Sequence, residues 1–289
     1  MNHFNTKMYS VKVWGKGFGS GSSSSSSTSP VSSKKSNKSN KELYDLENKS
    51  PSKLKIKSNG KSTFHKHCPT LDESYPGLRC VHSDPPIYEI DNFFTKETCD
   101  RMILDADTKG VSVNSKTFSS MTSSHRTSTT WYLSYKDVPE LLSNANYLTG
   151  FDIQNFEEPQ IVRYEMGQQF SWHYDAIPKS LLRDENGNQR LATLLIYLND
   201  VDSGGSTVFK DLSLSIQPKK GKALLFFPSF IDGKPDDRTE HAGQIAFDTK
   251  WIAQIWIHES PYTPSLGPDD SNIEDGIKAV ETLRINNKN

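Results

Sequence analysis

The sequence predicts a mainly β fold: a double-sheet jelly roll with flanking N-terminal helices, preceded by a disordered leader. Three observations lead to this prediction. Eight short apolar runs follow Asp107, clusters of Gly, Asp, Asn and Pro such as residues 184–187 and 232–237 separate many of them, and a helical pattern comes before them. Many short strands punctuated by turn residues are typical of β sandwiches and barrels. The length of 289 residues allows one large domain and an accessory segment.

The first 70 residues differ in composition from the rest of the chain. They contain 13 Lys, no Arg and three acids, a charge of about +10, so the remaining 219 residues carry about −11 of the total of −1. The Gly/Ser tract at 19–27 and the Lys/Ser/Asn stretch at 32–40 contain no aromatic or branched apolar residue. Such segments bury too little surface to offset their conformational entropy. We predict a disordered leader over residues 1–70, either simply solvated or binding an anionic partner.

The first elements of the folded domain are predicted to be a strand and a helix. Residues 87–94 form an apolar run that ends at a loop, and the Thr95 hydroxyl is suited to cap the following helix. Glu97 adds a negative charge near the positive end of the helix dipole. Apolar residues then recur at helical intervals, at Cys99, Met102, Ile103 and Ala106.

The eight later strands and the end of the chain complete the predicted organisation. The strands are expected at residues 129–134, 160–165, 168–172, 192–198, 205–209, 213–217, 222–228 and 251–258. We expect the folded domain to span residues 71–262. A polar tail is expected over residues 263–289, with a short helix near residues 273–285.

Cysteine usage and hydropathy give a prediction of compartment. The three cysteines are too few for a disulfide framework and show no C-x-x-C spacing, which suits a reducing compartment. The chain contains no run of 18 apolar residues and no apolar stretch typical of a secretory signal before the serine tract. We therefore expect a cytoplasmic protein that does not cross a membrane. A zinc site is the alternative to a simple transition into the domain for the group His65, His67, Cys68, Cys80 and His82, although its spacing matches no standard zinc module.

The stretch from Arg163 to Asp175 contains the strongest chemical signal. Residues two apart in a strand point to the same side, so His173 and Asp175 are predicted to present an imidazole and a carboxylate together. With the distant His241 they would make a two-histidine, one-carboxylate triad, which leaves adjacent positions open on a bound metal. The alternative for His173 and Asp175 is a hydrogen-bonded pair on the surface.

Lys250 follows His241 by nine residues and begins an otherwise apolar strand. A buried lysine costs desolvation free energy unless it meets an anion, so we predict an anionic ligand beside it. The Tyr164 hydroxyl is suited to donate a hydrogen bond to the same anion. The alternatives are a charged strand-edge residue for Lys250 and a core aromatic for Tyr164.

Several motifs, in order, resemble the prolyl 4-hydroxylase family of Fe(II)/2-oxoglutarate-dependent dioxygenases over roughly residues 86–260. The resemblance rests on residues 90–99, Arg126-Thr-Ser128 ahead of Trp131, Tyr164-x-x-Gly167-Gln168, His173-x-Asp175, Arg190-x-x-Thr193-x-x-x-Tyr197-Leu198, Gly204-Gly-Ser-Thr-Val-Phe209, His241-Ala-Gly243 and Lys250-Trp251. It implies a double-stranded β-helix core, with the metal and co-substrate region over residues 155–260. Two departures are the His241–Lys250 spacing, one residue shorter than usual, and Phe170 where close relatives often place a tyrosine.

The resemblance implies a role for each candidate residue. Iron would be bound by His173, Asp175 and His241. The 5-carboxylate of 2-oxoglutarate would be bound by Lys250, Tyr164 and Thr207. Arg190, Trp256 and His258 fall where family members contact the substrate peptide; ordinary surface roles for Arg190 and His258 and a core role for Trp256 are the alternatives.

The implied activity is hydroxylation of a proline in a protein or peptide. Dioxygen is consumed, 2-oxoglutarate is converted to succinate and carbon dioxide, and L-ascorbate is the usual rescuing reductant. One alternative keeps these cofactors and changes the substrate to another side chain, a metabolite or a nucleic-acid base. The net negative charge of the body argues against nucleic acid. A second alternative is a non-catalytic sensor with an oxygenase fold.

Overall fold

The computed structural model of the chain describes residues 66–114, 127–182, 188–265, 267–268 and 271–287. Most of the predicted leader, residues 1–65, lies outside the described residues. His65 of the zinc hypothesis, Arg126 of the family motif and the turn at residues 184–187 also lie outside them.

Twelve described strands form two antiparallel sheets, which confirms the predicted mainly β, double-sheet architecture. The major sheet has the order β1-β2-β10-β7-β12-β5-β4-β3 and the minor sheet the order β6-β11-β8-β9. The strands are β1 Leu78–Ser83, β2 Pro86–Ile90, β3 Val111–Asn114, β4 Thr129–Tyr132, β5 Gln160–Tyr164, β6 Phe170–His173, β7 Arg190–Tyr197, β8 Thr207–Phe209, β9 Leu214–Ile216, β10 Ala223–Phe226, β11 His241–Gly243 and β12 Lys250–His258.

Three α-helices share one hydrophobic cluster with the major sheet: α1 Lys96–Lys109, α2 Pro139–Thr149 and α3 Ile273–Asn286. The Thr95 side chain accepts a hydrogen bond from the Thr98 backbone N–H, which confirms the predicted cap of α1. Helix α2 was not predicted; proline at its first position and a left-handed glycine after its last residue delimit it. Helix α3 confirms the predicted C-terminal helix, and Ile273 and Val280 bury it in the core.

Strand β12 separates two hydrophobic clusters and therefore buries both of its faces. Ala253, Ile255 and Ile257 face the cluster between the major sheet and the helices. Ile252 lies in the second cluster, with residues of both sheets such as Val162 and Phe209. Because strand side chains alternate in direction, Lys250 shares the face of Ile252 and is directed between the sheets.

The candidate zinc residues that the structure describes do not come together as a group that could hold a metal ion. His67 contacts Asp236, Cys68 contacts the Thr149 carbonyl, and Cys80 contacts the His82 carbonyl. All three cysteines are free thiols. Within the described segments, no helix has the length and apolar character needed to cross a membrane.

Candidate metal centre

The residues predicted as metal ligands come together where β6 and β11 pair in the minor sheet. His173 ends β6 and lies directly opposite His241, the first residue of β11. Asp175 Oδ1 is 3.7 Å from His173 Nε2, and Asp175 Oδ2 is 3.6 Å from His241 Nε2. One donor atom from each residue lies within 4.8 Å of the others. Two imidazoles and one carboxylate form the donor set typical of a non-haem Fe(II) site.

The predicted alternation around His173 extends beyond the strand. Strand β6 ends at His173, so Asp175 lies in the bend that follows, and not in the strand as predicted. Trp172 and Tyr174 are nevertheless 48% and 42% exposed, while Asp175 is buried. The Asp175 side chain therefore stays buried beside His173 although the ladder hydrogen bonds of the strand have ended.

Backbone carbonyl groups orient both histidine rings. His173 Nδ1 donates to the Ser171 carbonyl at 2.7 Å, and His241 Nδ1 donates to the Thr239 carbonyl at 3.0 Å. Because a carbonyl oxygen only accepts, each Nδ1 carries a proton, which leaves each Nε2, on the side of Asp175, as the atom that would bind a metal. Such contacts fix the tautomer that metal binding requires.

Asp175 is an anion in this setting. Its burial favours the neutral form, but His241, His173 and Arg190 and a 2.7 Å hydrogen bond donated by the Thr193 hydroxyl together lower its pKa to about 2. Thr193 thus fixes the carboxylate that the triad needs. The Phe170 ring stacks on His173 with a centroid distance of 3.5 Å.

Lys250 lies 3% exposed in the same pocket as the triad. Its Nζ donates to the Gly205 carbonyl at 2.7 Å and lies 5.3 Å from the centre of the Tyr164 ring. Burial lowers the pKa of Lys250 to about 7. A carboxylate bound beside Nζ would compensate this desolvation, so the site suits an anionic ligand.

Thr207 lies beside Lys250 in the pocket wall, with its hydroxyl oriented by a buried tyrosine. The Tyr197 hydroxyl donates to Thr207 Oγ1 at 2.9 Å. Because Thr207 Oγ1 accepts this hydrogen bond, its own hydroxyl proton can be donated to another acceptor, such as a carboxylate. The pocket between the sheets has a volume of about 390 Å³, the open space at its mouth included.

The three residues predicted to contact substrate share one buried cluster. Trp256 forms part of the pocket wall, and the Arg190 guanidinium lies 3.7 Å from the centre of its ring. Glu157 accepts from Arg190 at 2.8 and 2.7 Å and from His258 at 2.9 Å. Although burial opposes its charge, Arg190 and His258 lower the pKa of Glu157. Arg190 and His258 are buried, with Glu157 as their common partner, and only Trp256 of the three belongs to the pocket wall.

The sequence interpretation gave no role to four residues that shape the site: Thr193 and Tyr197, which it named only as part of a family motif, and Gln254 and Glu157, which it did not name. Alternation along β7 and β12 would have placed Thr193, Tyr197 and Gln254 on the pocket face, since β7 pairs with β12 in register. Glu157 carries no comparable local signal because its partners are 33 and 101 residues away in the sequence.

A metal triad of this composition beside a buried lysine, inside a double-sheet β fold, defines the class of the 2-oxoglutarate-dependent iron oxygenases. A comparison with family models agrees, because the 2OG-Fe(II) oxygenase superfamily matches residues 159–258. Prolyl 4-hydroxylase 5 of Arabidopsis thaliana is 33% identical over 216 residues, 65% of this chain and 74% of that relative. The chain belongs to the prolyl 4-hydroxylase family of these oxygenases, and membership implies Fe(II) and 2-oxoglutarate.

Two further matches cover a smaller share of this chain than the Arabidopsis relative does. Prolyl 4-hydroxylase subunit alpha-1 of Rattus norvegicus is 35% identical over 135 residues, 45% of this chain and 25% of that relative. This chain therefore spans about a quarter of the length of such animal relatives. A crystal structure of viral collagen prolyl hydroxylase from Paramecium Bursaria Chlorella virus-1, in a 2OG complex, is 27% identical, with a TM-score of 0.49 over 60% of this chain and 96% of that one.

Proposed function

We propose that this protein is an Fe(II)/2-oxoglutarate-dependent dioxygenase that hydroxylates proline in a protein or peptide. The observation that carries the proposal is one pocket that contains both the His173, Asp175 and His241 triad and the buried Lys250. A metal site alone would not need a desolvated lysine, and an anion site alone would not need the triad. The names of the relatives support proline as the substrate residue.

The residues of the pocket fit both groups. His173, Asp175 and His241 would hold Fe(II), while Lys250, Tyr164 and Thr207 would hold the 5-carboxylate of 2-oxoglutarate. When bound with dioxygen, Fe(II) and 2-oxoglutarate supply the oxidising chemistry, in which one oxygen atom enters a substrate C–H bond and the other enters succinate as carbon dioxide leaves.

The protein's own groups set the conditions for that chemistry. Thr193 keeps Asp175 oriented and charged, and the carbonyl groups of Ser171 and Thr239 keep both Nε2 atoms available. In the pocket wall, Trp256 would contact the substrate ring, with Arg190 stacked on its indole. Glu157 holds Arg190 and is itself contacted by His258.

L-ascorbate completes the proposed set of cofactors as the reductant that restores the site after unproductive cycles. The competing substrates are another side chain, a metabolite and a nucleic-acid base. The negative charge of the body disfavours the last of these, since phosphate contacts require basic surface. A non-catalytic sensor has no requirement for a complete triad together with Lys250.

The test is succinate release by the full chain supplied with Fe(II), ascorbate, 2-oxoglutarate and dioxygen. We expect a proline-containing peptide to stimulate release, and the same peptide with each proline replaced by alanine to give only the background. Stimulation by an oligonucleotide and not by the peptide would contradict the proline assignment. Metal binding without succinate release under any condition would favour the sensor.

The domain boundaries and the compartment stay proposals. We propose a leader at 1–70, a catalytic domain at 71–262 and a tail at 263–289. Burial of Cys68 and of Val280 indicates that both flanks contribute to the same core. The three free thiols support a cytoplasmic location, which fractionation of the native source would test.

A further inference from the structure

His67 is a buried histidine far from the pocket in sequence. It is 1% exposed, and its ring centroid lies 4.5 Å from that of Phe230. His67 Nε2 is 3.0 Å from Asp236 Oδ2, a contact across 169 sequence positions. Because a carboxylate oxygen only accepts, Nε2 carries the proton and donates it to Asp236. The adjacent Lys66 carbonyl accepts from the Ile231 N–H at 2.8 Å, so the same segment contacts this loop twice.

Asp236 is the residue in the loop between β10 and β11 on which several hydrogen bonds converge. Its carboxylate also accepts two hydrogen bonds from Arg238, each of 2.7 Å, and Arg238 forms an ion pair of 2.8 Å with Asp84. Burial opposes the charge on Asp236, but hydrogen bonds from Arg238 and His67 hold its pKa well below the usual range. The Asp236 N–H donates to the Pro228 carbonyl at 2.8 Å, which closes the loop on itself.

A short chain of hydrogen bonds leads from Asp236 to the metal ligand His241. The Asp236 carbonyl accepts from the Thr239 N–H at 3.0 Å and from the Thr239 hydroxyl at 2.7 Å. The Thr239 carbonyl accepts from His241 Nδ1 at 3.0 Å. Thr239 and Asp236 are both nearly fully buried, so no bulk water is available to substitute for these contacts.

We propose that His67 is a positioning residue for His241, acting through Asp236 and Thr239. The donor on His67 fixes the carboxylate of Asp236, the carbonyl of Asp236 fixes Thr239, and the carbonyl of Thr239 sets the rotation of the imidazole. This inference rests on the proposed role of His241 as a metal ligand. Groups that hydrogen-bond a metal ligand directly typically change metal affinity or activity by about 10- to 100-fold when replaced. His67 acts through Asp236 and Thr239, so we expect an effect at the lower end of that range.

The proposal separates the hydrogen bond of His67 from the volume that its ring occupies. His67→Phe keeps an aromatic ring against Phe230 and removes the donor, whereas His67→Gln keeps a side-chain N–H. His82→Phe is the matched control, because the His82 ring contacts the Pro85 carbonyl and no member of the chain to His241. All variants are made in the full chain.

The measurement is the affinity for Co(II), a spectroscopic substitute for Fe(II), with circular dichroism and melting curves confirming that each variant is folded at the titration temperature. We expect His67→Phe to bind Co(II) about 10-fold more weakly, with an altered visible spectrum. His67→Gln and His82→Phe are expected to stay within about threefold of the parent protein.

Two results would overturn the inference. Unchanged Co(II) affinity and spectrum in a folded His67→Phe protein would show that the donor does not position His241. Equal losses in His67→Phe and His67→Gln would show that a side-chain N–H at this position does not restore Co(II) binding, so the hydrogen bond to Asp236 is not what positions His241. His241→Ala separates this inference from the proposed function: if that variant binds Co(II) as the parent does, the triad assignment fails, and the inference with it.

Discussion

At the scale of single residues, the charge on Lys250 links ligand binding to pH. Burial lowers its pKa to about 7, so the free protein loses the ammonium charge above that pH. A bound carboxylate favours the charged form and raises the pKa again. Below pH 7 the lysine is charged before the anion arrives; above pH 7 binding must take up a proton, which costs up to about 1.4 kcal/mol per pH unit.

We therefore expect the Kd of 2-oxoglutarate for the Mn(II)-loaded protein to rise between pH 7 and pH 9, by at most about tenfold per unit. Titration calorimetry in buffers of different ionisation enthalpy would show the proton uptake. Lys250→Arg, which stays charged, should bind with an affinity that does not depend on pH in this range. A flat profile for the parent protein would show that Lys250 stays charged up to pH 9 and would contradict its lowered pKa.

Thr193 and Thr207 lie on opposite sheets, and replacing each of them tests metal binding and anion binding separately. Thr193→Val removes the hydroxyl that donates to Asp175, and we expect metal affinity to fall about 10-fold while 2-oxoglutarate affinity at saturating metal is unchanged. Thr207→Val removes the hydroxyl oriented by Tyr197, and we expect the reverse pattern. Both affinities are measured for both variants; equal losses in both would contradict this division of the pocket.

At the scale of elements, the turn before β8 determines the environment of Lys250. Gly204 and Gly205 have φ values of 70° and 69°, and a Cβ at Gly204 would collide with the Ile245 carbonyl oxygen. We expect Gly204→Ala to lower the free energy of unfolding by roughly 1–3 kcal/mol. It should also weaken 2-oxoglutarate binding, because the Gly205 carbonyl accepts from Lys250.

Gly167 provides the matched control for this turn. Its φ is 85°, but a Cβ there would meet no atom within 4 Å. Gly167→Ala should therefore incur only the backbone strain of about 1 kcal/mol and leave 2-oxoglutarate binding unchanged. Denaturant unfolding and ligand titration of both variants would check this, and equal losses of binding would show that the turn does not act through Gly205.

The elements also show how far a sequence can predict a fold. The long strands β7 and β12 were predicted because each is a mostly apolar run, eight and nine residues long in the structure and buried on both faces. Strand β11 has three residues, and its pairing with β6 and β8 depends on chain segments far away. Helix α2 contains two asparagines that weaken its apolar pattern, so its existence follows from packing on the core.

The site residues also divide into those that a local sequence pattern predicts and those that depend on distant parts of the chain. The spacing of His173 and Asp175 is local, and Lys250 is conspicuous as a charge at the start of an apolar strand, so both could be predicted. The partner of Asp175 is Thr193, on a strand of the other sheet. The hydrogen bonds that lead from His67 to His241 likewise join residues that are far apart in the sequence. Such pairs depend on sheet packing, which no local pattern encodes.

At the scale of the whole molecule, the pocket depends on how the two sheets pack together. The triad belongs to the minor sheet and the bend after it, whereas Lys250, Thr193 and Trp256 belong to the major sheet. The hydrophobic cluster between the sheets therefore sets the separation between metal and anion.

The most direct test of prolyl hydroxylation uses isotopically labelled dioxygen with the full chain, Fe(II), 2-oxoglutarate, ascorbate and a proline-containing peptide. Mass spectrometry should locate one labelled oxygen atom on proline, with one succinate formed for each hydroxylated residue. His173→Ala should give neither product. Labelled succinate without label on the peptide, label on another residue, or turnover that persists in His173→Ala would contradict the proposed function.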